Sequence, residues 1–328
     1  MQKIFSLSIL LSVFLFQASF AAEVDSVTPR NLKLDNSLTI INEIFNQRLQ
    51  EGIQKANVKQ DGVCDEKVLY TELRKAIFQS LTASLGLKGY ALDKQLRSLL
   101  ARKSYSLSLN DSIYRDIDYL EGFSLNIKEL SDVVNINGHL VGLDKMGHFF
   151  AQGWQYFELT QYEGHTLDQA MQWGKEQEAG KFGYTTTGIF SFADLAANFN
   201  GWRFWNKVLL KTKDPLKGVI ANFLNRPYVT CETQIFASVK KKKIVKAWEK
   251  NSRFDFSDYV DGVWNEGNNC NSYKDPIIEE KVTVRIQQVH PDFSCPSSAE
   301  DCLAAQKKYG EYAKHVLHPH CLVVTKKR

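Results

Sequence analysis

The stretch that most constrains the fold of this 328-residue chain runs from residue 142 to residue 205. Its residues predict three consecutive helices, and each of them carries polar side chains beside or within an apolar stripe. A charged side chain that shares a buried stripe must be paired, protonated or close to an opening. Any fold of the chain must therefore either bring these polar groups together or let them reach water.

The first helix has a broad apolar face and, opposite it, a narrow stripe that holds Asp144, Lys145 and His148. Asp144 and His148 are four residues apart, so they are neighbours on this stripe. A carboxylate beside an imidazole can orient the ring, raise its pKa or share a metal ion with it. The same pattern is also typical of the solvated face of an amphipathic helix.

The second helix begins at Thr166, with Gln169 as its capping-box partner, and is predicted to end at Gly180. Glu178 lies in line with the apolar stripe, so it is either a buried functional acid or part of a fraying last turn that reaches water. The hydroxyl-rich loop that follows contains Thr187. Because helix N-termini favour anions, Thr187 is a candidate substrate-binding residue, although such loops often bond only to their own backbone.

The third helix has Ser191 as its predicted N-cap, and it places Asp194 and Asn198 inside its apolar face. Left unpaired in a core, each of these two groups would cost about 1–3 kcal/mol. Lys145 and His148 are the expected partners. An alternative explains Asp194 alone, because Ser191-x-x-Asp194 also fits a variant of the capping box.

One pattern spans the three helices. It consists of Asp144-Lys145-x-x-His148-Phe149, then an acidic residue, then Ser191-x-x-Asp194, then an Asn and a Gly. This pattern resembles a motif of poorly characterised bacterial envelope proteins, namely small periplasmic lipoproteins and, more loosely, the VanZ-like membrane proteins. The resemblance covers residues 142–205 and implies a polar site there, since those groups carry no well-established reaction. The chain differs from both, because no lipobox cysteine follows its leader and no membrane span is predicted in its body.

Residues 1–21 have the features of a secretory signal peptide. Lys3 precedes an apolar run from Ile4 to Phe16, and small residues precede the expected cleavage before Ala22. We expect a periplasmic or secreted protein with no membrane span after cleavage. The formal net charge of +4 is too slight to indicate a nucleic-acid partner.

Six cysteines, an even number, follow a leader that directs the chain to an oxidising compartment. They predict up to three disulfides, with all fifteen pairings open. A zinc site is the alternative, but no C-x-x-C pair supports it. A metal site at His315, His318 and His320, which lie near Cys321, is a further and weaker alternative. The disulfide candidates are Cys64, Cys231, Cys270, Cys295, Cys302 and Cys321.

The fold class that follows is mainly α: a compact multi-helix domain with a short hairpin and a disulfide-stapled C-terminal part. We expect residues 22–210 to form the helical domain that carries the site, and residues 211–328 to form a helical, cysteine-rich part packed on it. The hairpin is predicted around Asn137-Gly138. Further helices are expected near residues 38–53, at Glu66–Leu85, at Ala91–Ala101, from Asp214-Pro215, at Cys231–Lys250, from Pro276 and at Ser298–Leu317.

The first functional hypothesis is an exported hydrolase that acts on an envelope polymer or lipid. In it His148, supported by Asp144, is a general base or metal ligand, and Glu178 is a general acid or a second carboxylate. Asp194 holds a water, a metal or the substrate. Lys145, Asn198 and Thr187 are the candidate substrate-binding residues. The cofactor is open, and a divalent metal held by His148 and Asp194 suits the donor set. Standard hydrolase motifs such as G-x-S-x-G are absent from the sequence.

The second hypothesis is a non-enzymatic envelope protein that binds a periplasmic protein or a glycan. The same polar residues would then form a buried network that fixes helix register. Trp264 and Glu266, beside Cys270, are candidates for the lining of a sugar-binding cleft, or else structural. An open cleft with His148 at its floor would favour the hydrolase, and a sealed, fully paired network would favour the second hypothesis.

Overall fold

The computed structural model describes residues 22–78, 90–238 and 241–325, and the chain is mainly α-helical, as the residue pattern predicts. The predicted signal peptide, residues 1–21, lies outside this described part. None of the helices in the described part is both long and apolar enough to cross a membrane. The first helices are α1 (Leu38–Lys59), α2 (Glu66–Ile77), α3 (Tyr90–Leu100), α4 (Phe123–Ile127), α5 (Asp144–Gly147), α6 (Gly153–Gln161), α7 (Leu167–Gln177) and α8 (Phe192–Leu209).

Helices α1 and α2 pack side by side, with Gly52 of α1 lying directly against Leu73 of α2. The carboxylate of Asp65 caps α2 by accepting hydrogen bonds from two backbone N–H groups of its first turn. The predicted helix Glu66–Leu85 is confirmed as far as Ile77. Its last residues lie outside the described part of the chain.

A small antiparallel sheet precedes the central helices and confirms the predicted hairpin. Asn137 and Gly138 form its turn with φ angles of 54° and 93°, a conformation that Asn and Gly accept more readily than other residues. The last strand ends at Gly142, so the hairpin delivers Asp144 directly to the start of α5. The strands are β1 (Ser104–Tyr105), β2 (Val133–Ile136) and β3 (His139–Gly142), in the order β1-β2-β3.

The first of the three central helices is one continuous run that contains a π-helical turn. Helix α5 leads into this turn, His148–Gln152, which leads into α6. Helix α8 packs closely against the turn, and a Cβ atom added at Gly201 would lie 1.8 Å from the carbonyl oxygen of Phe149. Glycine at this position therefore allows α8 to approach the π-helical turn that contains His148.

The predicted helix Cys231–Lys250 is wrong. The chain forms two long strands instead, β5 (Val229–Ser238) and β6 (Lys241–Lys250), paired antiparallel with Cys231 opposite Trp248. The β-branched residues Val229, Thr230 and Thr233 favour a strand. An apolar pattern of this kind fits the period of a helix as well as that of a strand, and the pairing of the two segments determines that they form strands.

The helix predicted from Asp214-Pro215 is also wrong. The Asp214 carboxylate accepts a hydrogen bond from the backbone N–H of Leu216, which makes a turn. The guanidinium of Arg203 forms an ion pair with the same carboxylate. A short helix, α9 (Val219–Phe223), follows only after Gly218.

The C-terminal helices start where predicted, but the last of them is interrupted. Asp275 caps α10 (Pro276–Val289), which confirms the helical interpretation of this segment. The single helix predicted at Ser298–Leu317 ends early, because Gly310 adopts a φ of 53° that breaks the hydrogen-bond ladder. The segment forms α11 (Ala299–Tyr309), a 3₁₀ turn (Gly310–Tyr312), α12 (Ala313–Val316) and then α13 (Pro319–Leu322).

All six cysteines are paired in three disulfides, Cys64–Cys231, Cys270–Cys295 and Cys302–Cys321. This confirms the expected number, and two of the three lie in the C-terminal part. A second link joins the two parts of the chain, because β4 (Ile189–Ser191) pairs with β7 (Asn271–Tyr273). That pairing holds the segment around residue 266 against the start of α8.

Candidate functional site

Most of the polar residues singled out in the three central helices meet in one group, which we call the buried polar cluster. Two glutamates from distant parts of the chain complete it. Its members are Glu23, Asp144, Lys145, His148, Glu178, Asp194, Asn198 and Glu266, and all are buried. The solvated-face interpretation of the first helix is therefore wrong for Asp144, Lys145 and His148.

Lys145 is the centre of the cluster. Its Nζ lies 2.6 Å from Asp144 Oδ2, 2.6 Å from Asp194 Oδ1 and 2.7 Å from Glu266 Oε1. Burial lowers the pKa of an ammonium, but the three carboxylates outweigh burial and raise the pKa of Lys145 well above its ordinary value. Lys145 is therefore a permanent buried cation that three separate chain segments share.

His148 forms the second cationic position. Its Nε2 lies 3.0 Å from Asp194 Oδ2, and its Nδ1 lies 3.2 Å from the side-chain oxygen of Asn198. Burial lowers the pKa of His148, but the adjacent Asp194 carboxylate reverses this effect, so the net shift is upward. Burial acts in the opposite direction on Asp194, whose pKa is nevertheless lowered by His148 and Lys145. The expectation that Lys145 and His148 partner Asp194 is confirmed.

The orientation of the Asn198 side-chain amide depends on the protonation state of the His148 ring. With the amide oxygen toward Nδ1, the ring donates from both nitrogens and is an imidazolium, while the amide nitrogen donates to Gln152 Oε1 at 2.9 Å. With the amide reversed, its nitrogen donates to Nδ1 at 3.2 Å, the ring is neutral, and Gln152 must also reverse so that its nitrogen meets the Asn198 oxygen. The amide therefore accommodates either charge state of His148 without leaving the cluster.

Glu178 is a fully enclosed carboxylic acid, so the fraying-turn interpretation is wrong. Helix α7 continues as a π-helical turn, Glu178–Phe182, past the end predicted at Gly180. Glu178 Oε1 accepts a hydrogen bond from the backbone N–H of Ser191 at 3.2 Å, and Oε2 has no partner among the described residues. Burial, with Asp194 nearby, raises the pKa of Glu178 well above its ordinary value.

Ser191 caps α8, but the variant capping box does not form. The Ser191 hydroxyl accepts a hydrogen bond from Asp194 N–H at 3.3 Å, as predicted for an N-cap, and donates to Glu266 Oε1 at 3.0 Å. The box would need the Asp194 carboxylate on the Ser191 backbone N–H, and Glu178 holds that group instead. Asp194 is thus free to bind Lys145 and His148.

Glu23 explains the position of Thr187, which was singled out as a substrate-binding candidate. The buried Thr187 hydroxyl donates to Glu23 Oε1 at 2.7 Å. Burial, together with the charges of Glu266 and Asp194, raises the pKa of Glu23 well above its ordinary value. Sequence reasoning missed Glu23, because a glutamate just after a leader shows no periodic pattern.

Glu266 joins the cluster from a loop and was considered only as a cleft residue. Its Oε2 accepts a hydrogen bond from Asn271 Nδ2 at 2.7 Å and lies 3.4 Å from the Tyr114 hydroxyl. Burial raises the pKa of Glu266, and the nearby Lys145 opposes the shift. The predicted companion Trp264 is fully buried in the core, so its assignment to a cleft is wrong.

The cluster contains a donor set for a cation, and Lys145 is that cation. Asp144, His148 and Asp194 offer one ligand atom each within 4.8 Å of one another. The Lys145 ammonium touches the two carboxylates, where a divalent ion would have to lie. These residues therefore fit a metal only if the lysine charge is removed or displaced, and the metal assignment stays a prediction.

The histidines near the C-terminus do not meet a free thiol. Cys321 is bonded to Cys302, and His315 contacts Asp168 at 2.7 Å. His318 and His320 lie near Cys270, whose sulfur is bonded to Cys295. With both sulfurs in disulfides, this group does not offer the thiolate that a zinc site of this kind requires.

A cavity of about 420 Å³ touches the cluster from one side. Of the cluster, only Glu266 lies in the cavity wall, among the residues the structure describes. The wall combines aromatic rings, amides, hydroxyls and two carboxylates with a disulfide, and no lysine or arginine is among the described residues that line it. Its side chains include Tyr114, Asn271, Tyr273, Phe293, Gln287 and His318.

Comparison of the chain with protein-family models, curated proteins and solved structures gives no match. The resemblance of residues 142–205 to bacterial envelope proteins therefore stays a prediction. The three disulfides fit an oxidising compartment.

Proposed function

We propose that this chain is an exported, non-enzymatic binding protein of the bacterial envelope, in which the buried polar cluster is a structural network. The observation that carries this proposal is burial: the exposed fraction of the cluster members runs from 0% at Lys145 to 6% at Asp144. A catalytic base must come within about 3 Å of the proton that it removes. His148 is enclosed on the side of Asp194 and on the side of Asn198.

The network ties together segments that the chain order keeps apart. Lys145 and Glu266 are separated by 121 residues, and Thr187 and Glu23 by 164. Breaking such a buried pair leaves an uncompensated charge, which is why the pairing specifies one arrangement of the helices. The cluster thereby holds Glu266 at the wall of the cavity.

The lining of the cavity favours a glycan, such as a fragment of an envelope polymer, as the ligand. The Tyr273 ring, and the Phe293 face that the Arg30 guanidinium does not cover, are suited to pack against the C–H groups of a sugar ring. Asn271 and Gln287 supply amides for hydroxyl groups, and Glu266 is a fixed acceptor. A volume of about 420 Å³ is within the range of small-ligand sites.

Calorimetric titration with soluble peptidoglycan fragments and with chitin oligosaccharides tests this proposal. Phe293→Ala should weaken binding about tenfold, since one stacked ring contributes up to about 1.5 kcal/mol. Gln288→Ala is the matched control, because Gln288 lies on α10 beside Gln287 but outside the cavity wall. Equal affinities of the wild type, Phe293→Ala and Gln288→Ala would remove the cavity from the proposal.

The hydrolase is the second candidate, and one observation favours it. Asp144 Oδ1 and Glu178 Oε2 are buried without a hydrogen-bond partner among the described residues. Burial, with Asp194 nearby, also raises the pKa of Glu178, which is the direction that a general acid requires. Zymography on peptidoglycan, with metal analysis, would compare the wild type with His148→Ala and Glu178→Gln. Clearing by the wild type that both variants lose, while their disulfides and helical content are retained, would replace the structural proposal with the catalytic one.

A further inference from the structure

The segment between α8 and β5 exposes apolar side chains at its tip. Helix α9 lies in this segment, and four apolar side chains in the helix and at its C-terminal end are exposed to solvent. We call them the apolar tip: Val219, Ile220, Phe223 and Leu224, with exposed fractions of 87%, 77%, 87% and 69%. Single exposed apolar residues are common on protein surfaces, but four adjacent ones at this exposure mark an interaction site.

The protein holds the tip in this orientation through bonds beneath it. The Asn222 side chain faces inward, where its oxygen accepts from Asp214 N–H at 2.8 Å and its nitrogen donates to Lys217 O at 2.7 Å. Asp214 in turn binds Arg203 of α8 through two contacts of 2.9 and 2.7 Å. The short helix thus turns its polar residue to the protein and its apolar residues to the outside, the reverse of an ordinary surface helix.

The charges around the tip are basic. Residues 211–226 contain four basic side chains and one acidic side chain. The acidic one, Asp214, is already neutralised by Arg203. Lys213 and Arg226 are exposed, whereas the exposed Lys211 pairs with Glu66 at 2.7 Å. The segment therefore combines exposed apolar residues with two exposed basic residues that flank them in the chain.

We propose that this segment docks the protein on an anionic lipid surface. An apolar tip that inserts among acyl chains, with lysine and arginine at the level of the headgroups, is the arrangement that binds membrane interfaces. The exposed basic residues Lys213 and Arg226 match the charge of acidic headgroups. The tip lies outside the buried polar cluster and the cavity, so this proposal is independent of the function proposed above.

Sedimentation with lipid vesicles tests the proposal on the full chain with its disulfides formed. The wild type should bind vesicles of mixed phosphatidylglycerol and phosphatidylcholine, bind pure phosphatidylcholine at least about tenfold less, and release as salt is raised. The double variant Ile220→Ser/Phe223→Ser should lose at least about tenfold in partitioning, because the apolar area no longer enters the bilayer. Lys213→Gln/Arg226→Gln should lose binding and also its salt dependence.

Leu120→Ser is the matched control, since Leu120 is 91% exposed and lies far from this segment in the chain. It should bind vesicles like the wild type. Binding of the wild type that is absent, or that the double serine variant retains, overturns the proposal. So does a concentration-dependent dimer, seen by light scattering, that the double serine variant abolishes, because the tip would then be an interface between copies of the chain.

Discussion

Lys145→Met removes the central cation of the buried polar cluster while keeping most of the side-chain volume. Three carboxylates, from Asp144, Asp194 and Glu266, lie within 2.7 Å of the Lys145 nitrogen. Without the ammonium, the enclosed carboxylates repel one another and water cannot screen them. The relaxation that requires the least free energy is protonation of one of the three carboxylates.

The free-energy cost of this protonation follows from the pKa of the carboxyl group in the unfolded chain. A carboxyl group with an unfolded pKa of about 4 must be protonated at pH 7, about three units higher, at about 1.4 kcal/mol per unit. The expected loss in unfolding free energy is therefore about 4 kcal/mol at pH 7, in line with about 3–5 kcal/mol for breaking a buried pair. The raised pKa of a carboxyl in the folded variant means that this loss shrinks as the pH falls toward the unfolded value, to about 1.4 kcal/mol at pH 5.

Urea unfolding, followed by tryptophan fluorescence at pH 7 and pH 5, measures both losses. Lys281→Met is the control, because Lys281 pairs with Glu121 at 2.6 Å on the surface and should cost no more than about 1 kcal/mol at either pH. If Lys145→Met costs less than about 1 kcal/mol at pH 7, or costs the same at both pH values, the account of Lys145 as the essential cation fails.

Two further predictions concern the same helices. Because the pKa of Glu178 is raised in the folded state, the wild type loses stability as the pH rises above the pKa of the unfolded chain. The stability of Glu178→Gln relative to the wild type should therefore increase between pH 5 and pH 8, by up to about 1.4 kcal/mol per pH unit. An equal difference between the urea midpoints of the two proteins at both pH values would contradict this. Gly201→Ala should destabilise the protein by about 1–3 kcal/mol, since its Cβ would lie 1.8 Å from Phe149 O. Gly180→Ala, with nothing within 4 Å of the added Cβ, should be neutral or stabilising, and thermal melts with the opposite order would refute the packing argument.

Local pattern was enough to predict the partners that lie on neighbouring helices. Asp194 and Asn198 share an apolar face, so they had to find polar groups, and Lys145 and His148 were within the same stretch. The caps at Thr166 and Ser191 were also predictable, because a cap depends on residues within one turn. These inferences needed no knowledge of the rest of the chain.

Glu266 could not be placed in the same way. It reaches Lys145 because β4 pairs with β7, and no periodic signal in three-residue strands predicts which pair forms. The solvated-face interpretation of Asp144 failed for a related reason. A narrow polar stripe looks the same whether water or a second set of charges faces it, and only the tertiary structure distinguishes the two.

Helix α8 carries both features on which the proposals depend, and its length separates them. Asp194 belongs to the buried polar cluster, and Arg203, nine residues later, holds Asp214 beneath the apolar tip. At about 1.5 Å per residue the two positions are about 13 Å apart along the axis. Changes at sites more than about 7–10 Å apart that share no partner act independently. A defect in vesicle binding caused at the tip should therefore leave the pH dependence of Lys145→Met unchanged, and a change in the cluster should leave vesicle binding intact in any variant that still folds.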